Sequence, residues 1–159
     1  MALKPMQRVI VDDINMKCQD VAAQGTVVCF SSTVGNVTTV ASAVSGKKIA
    51  GVLLQDVVAR GYAEHMVVLG QDTGTVNEPL LRKSRNETHV SGVCRLLKVG
   101  QVDTNWIDFT DNFIPGDIVY LTSSGKMSHH QDNAGCEKIG HVISGKDSDL
   151  YIRVFVNLA

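Results

Sequence analysis

Five histidines, four cysteines and a few clustered carboxylates are the groups in this chain that could bind a metal or move a proton. The histidines are His65, His89, His129, His130 and His141. His129 and His130 are adjacent, and neighbouring side chains on a strand point to opposite faces, so this pair is not expected to share a metal. Asp12 and Asp13 are neighbours, and Asp103, Asp108 and Asp111 flank Trp106. Neither set comes with a nucleophile or a spaced partner for acid–base work. The cysteines Cys18, Cys29, Cys94 and Cys136 form no CxxC pair, so free buried thiols are expected rather than a zinc knot or a disulfide framework.

Motifs that carry chemistry are missing as well. No GxSxG, HExxH, Walker A or GxGxxG pattern occurs. SGKDS (144–148) holds a Gly-Lys pair without the upstream glycine of a phosphate cradle, and reads as a turn between strands. Lys126, in SSGKMS, sits in a turn of the kind that carries the modified lysine of biotinyl and lipoyl carriers. It lacks their Met-Lys-Met or Asp-Lys-Ala context. The expectation is therefore no enzyme, no catalytic residue, no metal and no cofactor.

The elements around these residues are short strands. Gly, Asn, Asp and Ser recur every eight to twelve residues between runs rich in Val, Ile, Thr and Leu. Strands are expected at 7–11, 25–32, 36–42, 48–55, 63–70, 88–99, 116–123, 126–130, 137–144 and 150–158. The best helical chances are a short turn around 40 to 45 and another near 104 to 110. The fold class is all-β, a small barrel or sandwich. At 159 residues the chain suits one domain, and its 15 basic and 16 acidic residues give no overall pull toward nucleic acid or an anionic membrane. It shows no apolar run long enough to span a bilayer and no signal-peptide core, so it is expected to be made in a cytoplasm.

The chain also says one thing twice. GTVVCFSSTVG (25–35) is echoed by GDIVYLTSSG (116–125), and KKIAGVL (47–53) by EKIGHVI (137–143). Omitting Val34 pairs 25–53 with 116–143, with identities at Gly25/Gly116, Val28/Val119, Ser32/Ser123, Gly35/Gly125, Lys48/Lys138, Ile49/Ile139 and Val52/Val142. Turn glycines and apolar positions coincide, which points to two related β-units in one body. Outside them, residues 1–20 read as an extended N-terminal arm. Residues 71–87, with Arg82, Lys83 and Arg85, read as an exposed loop.

The phrases PGDIVYLTSSGKMS and KIGHVISGKDSDLYIRVFVNL, with their earlier echo, resemble a family of tailed-phage head proteins, the small β-rich decoration or cement proteins. The resemblance covers about 25–55 and 113–158. It implies a β-tulip-like barrel that binds the outside of an assembled phage head and stabilises the expanded shell. The partner would be the major capsid protein, and the protein a homotrimer on the virion exterior. An extended strand can pair with an exposed sheet edge, so Lys4, Arg8, Val9, Ile10 and Val11 are the candidate capsid contact. Arg82, Lys83 and Arg85 are a second candidate contact. The competing readings are another phage head-fibre or tail module, or a cellular β-barrel binding or carrier module.

Overall fold

Short β-branched runs between glycine turns favour strands with little room for helix. The computed structural model describes residues 9–39, 48–59, 87–130 and 137–158, and every regular element in them is a strand. In order these are β1 (Val9–Cys18), β2 (Val27–Phe30), β3 (Asn36–Thr39), β4 (Ile49–Leu53), β5 (Asp56–Val58), β6 (Glu87–His89), β7 (Val93–Thr104), β8 (Ile118–Leu121), β9 (Met127–Ser128), β10 (Lys138–Ser144) and β11 (Ile152–Asn157). The expected strand at 63–70 and helical turn at 40–45 lie outside the described residues. The helical turn expected near 104–110 is not formed. There Ile107 makes a parallel bridge to Met127, and a turn follows in which Asp111 N donates to Asp108 O.

Two rings are built on one long strand. In the first barrel β1 pairs β7, β7 pairs β4, β4 pairs β2 and β2 pairs β3, all antiparallel. The ring closes where β3 runs parallel to the end of β1, at Lys17↔Asn36 and Cys18↔Val37. The second barrel repeats the circuit: β7 with β11, β11 with β10, β10 with β8, β8 with β9. Its closure is again parallel, at Ile107↔Met127. β7 is thus the last strand of the first barrel and the first strand of the second. Closing a sheet on itself satisfies backbone groups that an open edge would leave unpaired. The short parallel pair β5–β6 is inserted between β4 and β7.

The two circuits repeat the same strand pairings and turns, over more of the chain than the sequence echo covers. Gly25 and Gly116 sit at φ +91° and +95°, and Gly35 and Gly125 at +82° and +83°. Equivalent backbone bonds recur: Gly25 N donates to Leu53 O (2.7 Å) and Gly116 N to Val142 O (2.8 Å). Phe30 N donates to Lys48 O, and Leu121 N to Glu137 O. These bonds correct the register of the third strand by one residue. Gly51 corresponds to Gly140 and Lys48 to Glu137, so the identities at Lys48/Lys138, Ile49/Ile139 and Val52/Val142 are not structural equivalents. The loop ahead of β10 is one residue shorter than the one ahead of β4, which letter matching could not register.

With that register the two interiors match position by position. Cys18/Ile107, Val28/Val119, Val37/Met127, Ala50/Ile139, Leu53/Val142, Cys94/Ile152 and Leu96/Val154 point inward, none more than 1% exposed. The first member of each pair belongs to one apolar cluster and the second to another. Arg95 bonds Asp13 across β7 and β1. Its counterpart Arg153 holds Asp103 with two bonds, of 2.8 and 3.1 Å, across β11 and β7. The barrels also touch at equivalent places: Glu137 accepts from Ile49 N (2.8 Å) and lies 3.7 Å from Lys48 Nζ.

The N-terminal arm needs correction over its second half. Residues 9–18 are β1, a wall of the first barrel held to β7 from Val9↔Gln101 to Lys17↔Val93. The sequence signal was obscured because Asp12, Asp13, Asn15 and Lys17 interrupt the apolar run, and register shifts lie on either side of Asp12.

Gly51 and Gly140 show why the repeat keeps a glycine at this position. A Cβ at Gly51 would lie 2.8 Å from Leu97 O, and one at Gly140 would overlap Phe155 O, the equivalent carbonyl. Neither contact can relax by rotating a side chain. Gly140→Ala is expected to cost about 3 kcal/mol or more, measured by urea unfolding, because the β10–β11 ladder itself must part. A cost under about 1 kcal/mol would contradict this register.

Candidate functional site

The residues singled out from sequence as contacts fall in two groups. Lys4, Arg8, Arg82, Lys83 and Arg85 lie outside the described residues, as does the 71–87 loop except for Glu87, which opens β6. Val9 and Val11 are 54% and 67% exposed, while Ile10 is half-buried and packs against the larger core. One edge of β1 is spent on β7, and among the described residues its other edge is paired only at Lys17 and Cys18. An added strand would have Val9–Met16 as its template.

Comparing the outer faces of the two barrels exposes a surface that sequence reasoning missed. On the first barrel Val27, Cys29, Ile49, Val52, Leu54 and Leu97 point outward, yet all are buried, in one cluster with the interior of the second barrel. The equivalent positions on the second barrel are Ile118, Tyr120, Lys138, His141, Ile143 and Phe155. Here Ile118 is 40% exposed and Ile143 38%, His141 and Lys138 are exposed, and Tyr120 and Phe155 are half-buried. The His141 and Phe155 rings lie 5.4 Å apart. This face, on β8, β10 and β11, is the open counterpart of the face that is buried on the first barrel. Only the repeat, in its corrected register, could have revealed it.

Between the barrels runs an open groove of about 410 Å³, lined by Val21, Ala22, Ala23, Thr26, Val27, Thr39, Trp106, Ser124 and Gly125. It offers three hydroxyls and an indole but no titratable group. The Trp106 Nε1 donates to Gly125 O (3.0 Å), which anchors the ring at this junction. Lys126 does not project from a free tip: its ammonium lies over the rings of Trp106 (5.6 Å) and Phe109 (5.3 Å).

The carboxylates flanking Trp106 separate by role. Asp103 is the partner of Arg153. Asp108 accepts from Thr110 N and Oγ1, and these bonds hold its pKa below the ordinary carboxylate value. Asp111 is a clamp on the end of β9: its Oδ2 accepts from Ser128 Oγ and from His129 N (3.1 Å). Asp20 does the same in the first barrel, where Oδ2 accepts from Thr38 Oγ1 and Thr39 N (2.8 Å). The second barrel adds histidines. His129 Nδ1 lies 3.2 Å from Asp111 Oδ2, and His130 Nε2 lies 4.0 Å from Asp111 Oδ1. The two rings are 3.8 Å apart. The expectation that these neighbours face opposite ways fails because β9 ends at Ser128. The chain bends there, and strand alternation no longer applies. His89 is half-buried with Nδ1 at 3.1 Å from Val90 O, and His65 lies outside the described residues.

No known protein-family model matches the chain, and comparison with curated proteins finds no match.

Cys18, Cys29 and Cys94 are reduced thiols buried in the two cores. Cys94 Sγ donates to Met16 O (3.1 Å), and the neighbouring Cys18 thiol together with burial pushes the Cys94 pKa well above the ordinary thiol value and keeps it protonated. All three should react with a thiol reagent roughly a hundredfold or more slowly in the native protein than in denaturant. Cys136 is the fourth cysteine and lies outside the described residues. At most one fast thiol per native chain is therefore expected in a dithiobis(nitrobenzoate) assay. Two or more would contradict the buried placement.

Proposed function

We propose that this chain is a virion structural protein, a decoration protein that binds the outer surface of a tailed-phage head and stabilises the expanded shell. The observation that carries this reading is the open face of the second barrel. Its counterpart on the first barrel is buried, so the same scaffold position has one copy satisfied within the chain and one left for a partner. A semi-exposed Ile118–Ile143 patch beside half-buried rings suits docking on another protein surface. The resemblance of PGDIVYLTSSGKMS and its sequel to phage cement proteins supplies the partner class, the major capsid protein.

Weak contacts suffice for such a role when they are multiplied. Three copies joined as a trimer engage the shell together, and linked engagement raises overall affinity by roughly 10²–10⁴ over a single contact. The exposed Val9 and Val11, on the edge of β1 that is open among the described residues, provide a second contact surface beside the first. In this reading the protein is made in the host cytoplasm and joins the head from outside.

The test is co-sedimentation with heads that lack the protein, in expanded and precursor forms. The native chain should bind expanded heads at least tenfold more tightly. Ile118→Asp combined with Ile143→Asp should weaken that binding tenfold or more with little change in melting temperature, since both side chains are partly exposed. Because β1 is a wall of the barrel, any truncation of the N-terminus must stop at Arg8. Equal binding to both head forms, or full binding by the double variant, would contradict the proposal. In free solution, light scattering should give a mass near three times 17.1 kDa.

A further inference from the structure

Asp111, His129 and His130 stand apart from the docking surface and, among the described residues, have no counterpart as a set in the first barrel. There the clamp carboxylate Asp20 serves Thr38 and Thr39 without an imidazole beside it. The ligand atoms of the three residues in the second barrel all lie within 4.8 Å of one another. We infer that they form a binding site for a borderline divalent cation of the zinc class.

Four observations carry this. First, the donor set is right: two imidazoles and one carboxylate suit zinc, nickel or cobalt better than magnesium or calcium, which prefer oxygen alone. Second, His129 Nδ1 is buried yet makes no hydrogen bond, although Asp111 Oδ2 is 3.2 Å away. That oxygen already serves Ser128 and the His129 backbone, and the ring nitrogen beside it is left without a hydrogen-bond partner. Third, the spacing is close to what a metal needs. Bonds of about 2.1 Å in a tetrahedral site put ligands roughly 3.4 Å apart. The 3.2 Å contact, to Asp111 Oδ2, meets this, and the 4.0 Å contact, to the other carboxylate oxygen Oδ1, closes by a small swing of His130, whose side chain is 74% exposed. Fourth, the anchor is fixed: Asp111 is 7% exposed, and its clamp bonds hold the carboxylate in place.

The cation would bind through His129 Nδ1, His130 Nε2 and the Asp111 carboxylate, with water completing the shell. Coordination through Nδ1 leaves His129 Nε2 as the protonated nitrogen. Binding would tie the chain just past β9 to the turn before β8, a cross-link at the end of the second barrel. The site stands independently of the capsid reading.

The experiment is isothermal titration of the native chain with zinc chloride, beside His130→Ala and His129→Gln, with melting temperatures recorded with and without zinc. One zinc per chain should bind at micromolar metal, and each variant should weaken it at least tenfold. Zinc should raise the melting temperature of the native protein and leave that of His130→Ala unchanged. The His130 ring packs little, so that variant should fold as the native chain does, which its melting temperature without metal verifies. Absence of saturable binding up to millimolar zinc would overturn the site. So would unchanged affinity in either variant, since all three ligands are required.

Discussion

Everything in this molecule hangs on β7. Its even-numbered positions form one continuous face that enters the first barrel at Cys94 and Leu96 and the second at Val102 and Thr104, all four fully buried. On one side it carries β1, and on the other first β4 and then β11. Gly100 marks the crossover, where a Cβ would overlap Val9 O. A break in this strand would open both rings, because each uses it as a wall. With Leu97 turned into the larger core as well, the two halves cannot fold or slide as independent beads on a string.

The duplication explains where function can reside. Interior positions are matched in size and character, since a small closed barrel leaves little freedom in what fills it. The outer faces have diverged instead. Val27, Cys29, Val52 and Leu97 have become apolar enough to receive the other barrel, while Ile118, Tyr120, His141 and Phe155 form a mixed surface. The polar clamp has diverged in the same sense. Asp20 and Asp111 do the same structural work, and only the second has gathered histidines.

How much of this was legible in the sequence follows the physics of each signal. The strands between 25 and 55 and between 116 and 158 announced themselves through Gly turns and β-branched runs, and the structure is all-β as expected. β1 was half hidden, because a strand with shifts around Asp12 and several charges reads as an arm. The third-strand register was misread by one residue, since KIAGV and KIGHV match by letter while the preceding loops differ in length. The His129–His130 juxtaposition could not be read at all: it depends on β9 stopping after Ser128, which nothing in KMSHH announces. Of the contact candidates, Val9 and Val11 are exposed on β1, whereas the face on β8, β10 and β11 needed coordinates to see.

The proposed role rests on surfaces: a covered face, an equivalent open face and, among the described residues, a β1 edge left largely unpaired beside it. The most direct measurement is electron cryomicroscopy of expanded tailed-phage heads saturated with the protein. Trimeric density is expected on the outer shell, with the tandem barrels resolved and the face of Ile118 and Ile143 turned against the capsid or a neighbouring copy. Heads without added density, or bound barrels whose Ile118–Ile143 face looks out into solvent, would contradict it.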